Sequence, residues 1–117
     1  MKLLISLWSV FLLLGMLPVQ AAVVGYVPMD DRPVNLEYVA DTARAAGETI
    51  VTPPVLNIAG RQRPGNVPGL WDWVVEQGAV SDAMVLSADS LVYGGLVASR
   101  THFDSEAELS ARLEKFR

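Results

Sequence analysis

Three short apolar runs alternate with three segments of helical periodicity, and this order constrains the fold more than any other feature of the sequence. The runs are rich in β-branched residues and span 23–27, 48–52 and 83–87. The first and third are nearly continuous, as expected of strands covered on both faces. Such an order implies parallel strands joined by right-handed crossovers. We predict a three-stranded parallel β-α-β-α-β-α unit, the N-terminal portion of a larger doubly wound or barrel-like α/β domain.

Each helical segment carries its own start or stop signal. Apolar side chains three and four positions apart mark the first helix: Leu36, Val39, Ala40, Ala43 and Ala46. Gly47 suits the position after this helix because it adopts positive φ without strain. The second helix is predicted to begin near Pro68, which is well tolerated in a first turn, and to end near Gly78. Ser105 and Glu108 form a capping-box pattern at the start of the third.

Residues 1–22 have the anatomy of a secretory signal peptide. Lys2 gives a positive start, residues 3–17 are almost wholly apolar, and small residues precede the predicted cleavage after Ala21 or Ala22. The apolar run is shorter than the ~20 residues that cross a bilayer. We therefore predict an exported protein, periplasmic or secreted, that meets the membrane only through this leader. An uncleaved N-terminal anchor is the alternative.

The composition limits what residues 23–117 can be. The sequence contains no cysteine, so this small domain folds by packing alone or belongs to something larger. The formal net charge of −4 argues against nucleic-acid binding, which usually needs a basic face. With one histidine, His102, which we expect to be exposed, a tetrahedral zinc site in this segment is disfavoured. We expect the remainder of a longer chain to complete the domain.

Polar side chains follow the first strand directly, in the stretch YVPMDDRPVN. They are Asp30, Asp31, Arg32 and Asn35. In parallel α/β proteins, functional groups lie in the loops at the carboxyl ends of the strands. An acid followed by a cation and an amide at this position therefore predicts one half of a polar site.

The stretch after the third strand supplies the other half. It contains Asp89, Tyr93, Gly94, Gly95 and Arg100. The long loop after the second strand adds Arg61, Gln62 and Arg63 at the same rim. We predict that the three loops converge on a substrate site.

Simpler structural roles exist for these residues. Asp31 has the character of a helix N-cap. Arg32 could merely pair with a neighbouring acid. Gly94 and Gly95 suit a turn and lack the spacing of phosphate-binding motifs, and Tyr93 could be a packing residue.

Within the predicted site we assign catalysis to the acids and substrate binding to the other residues. The predicted catalytic residues are Asp30, Asp31 and Asp89. The predicted substrate-binding residues are Arg32, Asn35, Tyr93, Gly94, Gly95 and Arg100. If the first and third strands are neighbours, the acids approach to roughly 5 Å, the spacing of a retaining glycosidase pair; a strand between them gives roughly 10 Å. A divalent cation held by the three aspartates is a further alternative, and no other cofactor is implied.

Two spaced motifs resemble an uncharacterised bacterial family, domain-of-unknown-function family 4127. The first motif falls on Val27 to Asn35 and the second, D-x-x-x-Y-G-G-L-x-A-S-R, on Asp89 to Arg100. The resemblance covers essentially all of residues 23–117. Because members of that family are longer, it implies that this chain is the N-terminal part of such a protein. It implies no mechanism.

The sequence therefore predicts an exported hydrolase acting on a polar substrate such as a carbohydrate or cell-wall fragment. Two acids on separate loops of one rim could act as general acid and general base, or as acid and nucleophile. The alternatives are a non-catalytic domain that binds a small polar ligand and a metal-dependent phosphoester hydrolase.

Overall fold

A computed structural model describes residues 20–117. The predicted signal peptide therefore lies almost entirely outside the described residues. The strands are β1 (Val23–Val27), β2 (Thr49–Val51) and β3 (Ala83–Leu86). The helices are α1 (Glu37–Ala45), α2 (Val67–Gly78), α3 (Ala88–Tyr93), α4 (Ala98–Thr101) and α5 (Glu106–Glu114). Among the helices of residues 20–117, none combines the length and the apolar character that a bilayer crossing requires.

The three strands form one parallel sheet in the order β2-β1-β3. In its register Val24 lies opposite both Ile50 on β2 and Ala83 on β3. The predicted three-stranded parallel α/β architecture is thus confirmed. Because β1 and β3 are neighbours, the loops that leave these two strands start about 4.8 Å apart at the same edge of the sheet.

Helix α2 packs its apolar side against one face of the sheet and forms the core. Its N-terminus is capped by Asn66, whose side chain accepts a hydrogen bond from the Gly69 amide. The buried cluster consists of Val27, Val67, Leu70, Trp71 and Leu91. The Trp71 indole also donates a 2.9 Å hydrogen bond to the Leu91 carbonyl, so the core is tied to α3 as well as to the sheet. This buried hydrogen bond satisfies the one polar group that the indole brings into the core.

Several local predictions are confirmed. Gly47 has a φ of +93° after α1, α2 ends at Gly78, and Ser105 with Glu108 forms the predicted capping box. Asp31 does not cap α1, which begins later with Leu36 as its N-cap and no side-chain hydrogen bond.

Two expectations about β3 and its surroundings are wrong. Ala83 and Val85 are exposed, so the strand is covered on one face only within the described residues, where it forms an edge of the sheet. The segment that follows β3 is largely helical rather than an open loop. Ser87 caps α3, and Gly94 ends it with a left-handed conformation, so local capping chemistry folds this segment into short helices.

We expect Leu70→Ala to lower the free energy of unfolding by about 2–5 kcal/mol, because Leu70 is fully buried in the core and its truncation leaves a cavity. Val75→Ala is the control, since Val75 is exposed on the same helix. Urea denaturation followed by tryptophan fluorescence measures both. Equal destabilisation by the two variants would contradict the proposed core.

Candidate functional site

A cleft of about 500 Å³ lies at the carboxyl edge of the sheet. Asp30 contributes to it from the β1 loop, and the segment between Ala59 and Pro68 forms one wall. Another part of its lining comes from Tyr93, residues 101–104 and Arg112. The loops after all three strands, together with α5, therefore converge on one hollow, as the parallel topology predicts.

The Asp30 carboxylate is the most completely hydrogen-bonded group of the site. It is only 2% exposed, and it accepts bonds from the Arg32 guanidinium, the Arg32 amide and the Asn35 side chain. The shortest of these, from Arg32 Nη2 and Asn35 Nδ2, are both 2.7 Å. A carboxylate has about four lone-pair sites. The acceptor capacity of Asp30 is therefore filled by its own loop.

These bonds decide the charge of Asp30. Burial by itself would raise the pKa of the carboxyl group, but the hydrogen bonds from Arg32 and Asn35 outweigh burial and hold the pKa below its usual range. Burial, and next the negative charge of Asp30, raise the pKa of Tyr26, whose hydroxyl donates to the Asn35 carbonyl. Asp30 is thus a fixed anion at neutral pH, suited to organising the loop and unsuited to donating a proton.

The other two candidate acids do not line the cleft. Asp31 donates its amide to the Ala59 carbonyl at 2.8 Å and lies beside Gly60, so it joins the β1 loop to the β2–α2 loop. Asp89 lies half-buried in the first turn of α3, and its side chain has no hydrogen-bond partner within residues 20–117. The retaining-pair geometry considered for Asp30 or Asp31 with Asp89 requires both carboxyl groups to face one substrate. The cleft contains only Asp30 of these three.

Gly94 and Gly95 serve as a point of close backbone approach. Both have positive φ, at +90° and +138°. The Gly94 carbonyl accepts a 2.7 Å bond from the Gly65 amide, while a Cβ on Gly95 would lie 2.4 Å from that of Ala59. The amide of Leu96 then donates to the Met29 carbonyl. The two glycines thus join the three loops, and they do not line the cleft.

Of the predicted binding residues, only Tyr93 lines the cleft. Arg32 and Asn35 reach it indirectly, through Asp30. Arg100 is exposed near the end of α4. Arg63, from the predicted loop after β2, does line the cleft and donates to the carbonyls of Leu56 and Ile58.

Sequence reasoning missed the polar wall formed by His102, Asp104 and Arg112. Contrary to expectation, His102 is half-buried, and its ring lies 4.8 Å from that of Tyr93. Asp104 pairs with Arg112 through contacts of 3.1 and 3.3 Å, and Arg112 also donates to the Val92 carbonyl. The sequence carries only a weak signal for this wall, which is an acid two residues after the single histidine and just before the capping box.

No three His, Asp or Glu side chains converge closely enough to hold a metal ion in the part of the chain that the structure describes. Asp30, Asp31 and Asp89, considered above as cation ligands, are therefore not gathered into one such group. The oxygen atoms of Asp30 are in any case occupied by nitrogen donors.

The family profile described as protein of unknown function (DUF4127) matches residues 24–117. The chain belongs to the DUF4127 family. The predicted family membership is therefore confirmed, and the two motifs that indicated it can be given structural roles. In this DUF4127 chain the first motif builds the Asp30 network, and the second builds α3 and the Gly94–Gly95 contact. No curated protein and no solved structure matches the sequence.

We expect Asp30→Asn to lower the free energy of unfolding by about 1–3 kcal/mol at neutral pH, because it removes the charge from a buried, multiply bonded group. Since the folded pKa is depressed, the contribution of Asp30 is present above the unfolded value of about 3.9 and is lost as the pH falls through the folded value. The stability gap between wild type and variant should therefore narrow below about pH 3.9. Asp89→Asn is the control and should change stability by less than about 1 kcal/mol. A gap that stays constant with pH would contradict the proposed ionisation.

We expect Gly95→Ala to destabilise the fold by about 1–3 kcal/mol or more, because the added Cβ meets Ala59 and the φ of +138° is strained for any L side chain. Gly78→Ala is the matched control, since no atom lies within 4 Å of a Cβ added there. Thermal unfolding of both variants measures the difference. A neutral Gly95→Ala would show that the three loops are not held together at this contact.

Proposed function

We propose that the cleft binds a small polar ligand and that this binding is the function of this part of the protein. The supporting observation is the convergence of three strand-end loops on one hollow of about 500 Å³. Ligand pockets for small molecules are typically about 300–1,000 Å³ and carry a few well-placed polar groups. The cleft has this size and carries two carboxylates, a phenol, an imidazole and two guanidinium groups.

The charges of the cleft favour a ligand rich in hydroxyl groups over a multiply charged one. Asp30 is neutralised by Arg32, and Asp104 by Arg112, so most of the charge on the walls is already paired. Arg63 donates to backbone carbonyls only, within the described residues, which leaves one positive charge that could accept a single anionic group. The proposed ligand is therefore a carbohydrate or a cell-wall fragment, neutral or with one acidic group.

A hydrolase remains the second candidate, and one specific observation supports it. His102 and Asp104, two groups able to take part in proton transfer, share a wall of the cleft with Tyr93. The predicted assignment of catalysis to Asp30, Asp31 and Asp89 stays a prediction. The acceptors of Asp30 are filled, and Asp31 and Asp89 do not line the cleft. Export from the cytoplasm is proposed on the leader sequence alone.

The test is a screen of the purified full-length protein against neutral glycosides, uronic acid glycosides and phosphoesters, with and without chelator. We expect a hydroxyl-rich compound to raise the melting temperature, since a ligand at 100 times its Kd stabilises by about 2.7 kcal/mol. Thr101→Trp should abolish this shift because Thr101 lines the cleft, whereas Ser110→Trp, on the exposed side of α5, should not.

Turnover in the same screen separates the candidates. Binding without turnover supports the binding function, chelator-resistant turnover supports the hydrolase, and turnover abolished by chelator supports a metal-dependent phosphoester hydrolase. A stabilising compound that acts equally on Thr101→Trp would place its site elsewhere and overturn the proposal.

A further inference from the structure

His102 has an inner nitrogen that its surroundings leave without a partner. Nδ1 of His102 is buried and forms no hydrogen bond, the one such side-chain atom found in the described part of the chain. A buried polar atom without a partner costs about 1–3 kcal/mol. A buried unsatisfied group in a folded protein calls for an explanation, and a second arrangement in which the atom is hydrogen-bonded supplies one.

The structure supplies a partner just beyond hydrogen-bond distance. Asp104 Oδ2 lies 3.9 Å from His102 Nδ1. Arg112 binds both oxygens of Asp104, with Nη1 donating to Oδ2 and Nη2 to Oδ1. Arg112 also donates to the Val92 carbonyl near the end of α3. A movement of about 1 Å would bring the His102–Asp104 separation into the hydrogen-bond range of 2.7–3.2 Å. Arg112 therefore already holds the Asp104 carboxylate in the orientation that a hydrogen bond from His102 requires.

The other side of the imidazole ring belongs to the cleft. The His102 side chain is 26% exposed and lines the hollow, while the ring of Tyr93 packs beside it. Because Nδ1 is the buried nitrogen, Nε2 is the nitrogen available to a ligand. When one ring nitrogen donates to a carboxylate, the other is left as an acceptor.

We propose that His102 and Asp104 form a dyad in which Nδ1–H donates to Asp104 and Nε2 accepts a proton or a hydrogen bond from a hydroxyl group in the cleft. Asp104 is the positioning residue, and Arg112 holds it in place. This inference rests on the proposed function, because it requires the ligand to occupy the same cleft. It adds the kind of group that contacts His102 Nε2. This group is a hydroxyl donor, either on the ligand or on a water molecule beside it.

In the hydrolase case the dyad performs general-base catalysis. Nε2 takes a proton from the attacking water as the water oxygen bonds to the electrophilic centre. The bond between that centre and the leaving oxygen breaks, and the imidazolium gives its Nε2 proton to the leaving oxygen. Asp104 stabilises the imidazolium and keeps Nδ1 as the donor. In the binding case no covalent bond changes, and the same geometry gives a hydrogen bond from the ligand hydroxyl to Nε2.

The tautomer of His102 provides a direct test that needs no ligand. The 117 residues contain one histidine, so ¹⁵N-histidine labelling reports on the ring nitrogens of His102. The spectrum is recorded on the full-length protein at a pH where the ring is neutral. If the full-length protein has other histidines, subtracting the spectrum of His102→Gln isolates the His102 signals. We expect the proton on Nδ1, and we expect Asp104→Asn to move it to Nε2. Asp104→Glu should restore the Nδ1–H form, and Asp72→Asn, an exposed acid on α2, should leave it unchanged.

The dyad would be overturned if the wild-type ring carries its proton on Nε2. It would also be overturned if a folded Asp104→Asn variant keeps the same tautomer as the wild type. These outcomes do not depend on whether any ligand of the screen binds, so failure of the dyad and failure of the proposed function are distinguishable. If a compound is hydrolysed, we expect His102→Gln to lower kcat by about 10²–10⁴-fold with binding retained. Unchanged kcat in that variant would exclude the general-base role.

Discussion

The architecture of the site depends on one buried anion, the carboxylate of Asp30. An isolated carboxylate could not remain ionised in this position, because its transfer from water is too costly without hydrogen bonds. Arg32 and Asn35 supply those bonds from the same loop, and they fold the chain back on itself before α1 begins. The adjacent residues Asp30, Asp31 and Arg32 therefore serve first to hold the conformation of this loop.

With the β1 loop held in this way, its main chain becomes available to the neighbouring loops. The Pro28 carbonyl accepts a 2.6 Å bond from the buried Ser90 hydroxyl, and the Met29 carbonyl accepts one from the Leu96 amide. Gly94 contacts Gly65 in the long loop after β2. These are mostly backbone interactions, so the width of the cleft is set by the main chain. The side chains on its walls are left to determine what binds there.

Pairing of charges gives the cleft its chemical character. Asp30 with Arg32 and Asp104 with Arg112 each bring opposite charges together at the rim or wall. Such pairs contribute modestly to stability where they are partly exposed. Their larger effect is on selectivity, because a cleft with neutralised walls offers directional hydrogen bonds without strong attraction for ions. His102 lies beside the second pair, with its Nδ1 3.9 Å from Asp104 Oδ2.

The sequence by itself determined the parallel α/β class, the order of its main elements, the end of α1 just before Gly47 and the family to which the chain belongs. These features follow from local periodicity, helix capping and motif spacing, all of which can be read from residues close together in the sequence. Strand order, the filled acceptors of Asp30 and the placement of Asp89 outside the cleft were decided only by the tertiary structure. So was the meeting of His102, Asp104 and Arg112 on one wall. Which side chains face a common space depends on how helices turn and how loops approach one another, and those distances join residues that are far apart in the sequence.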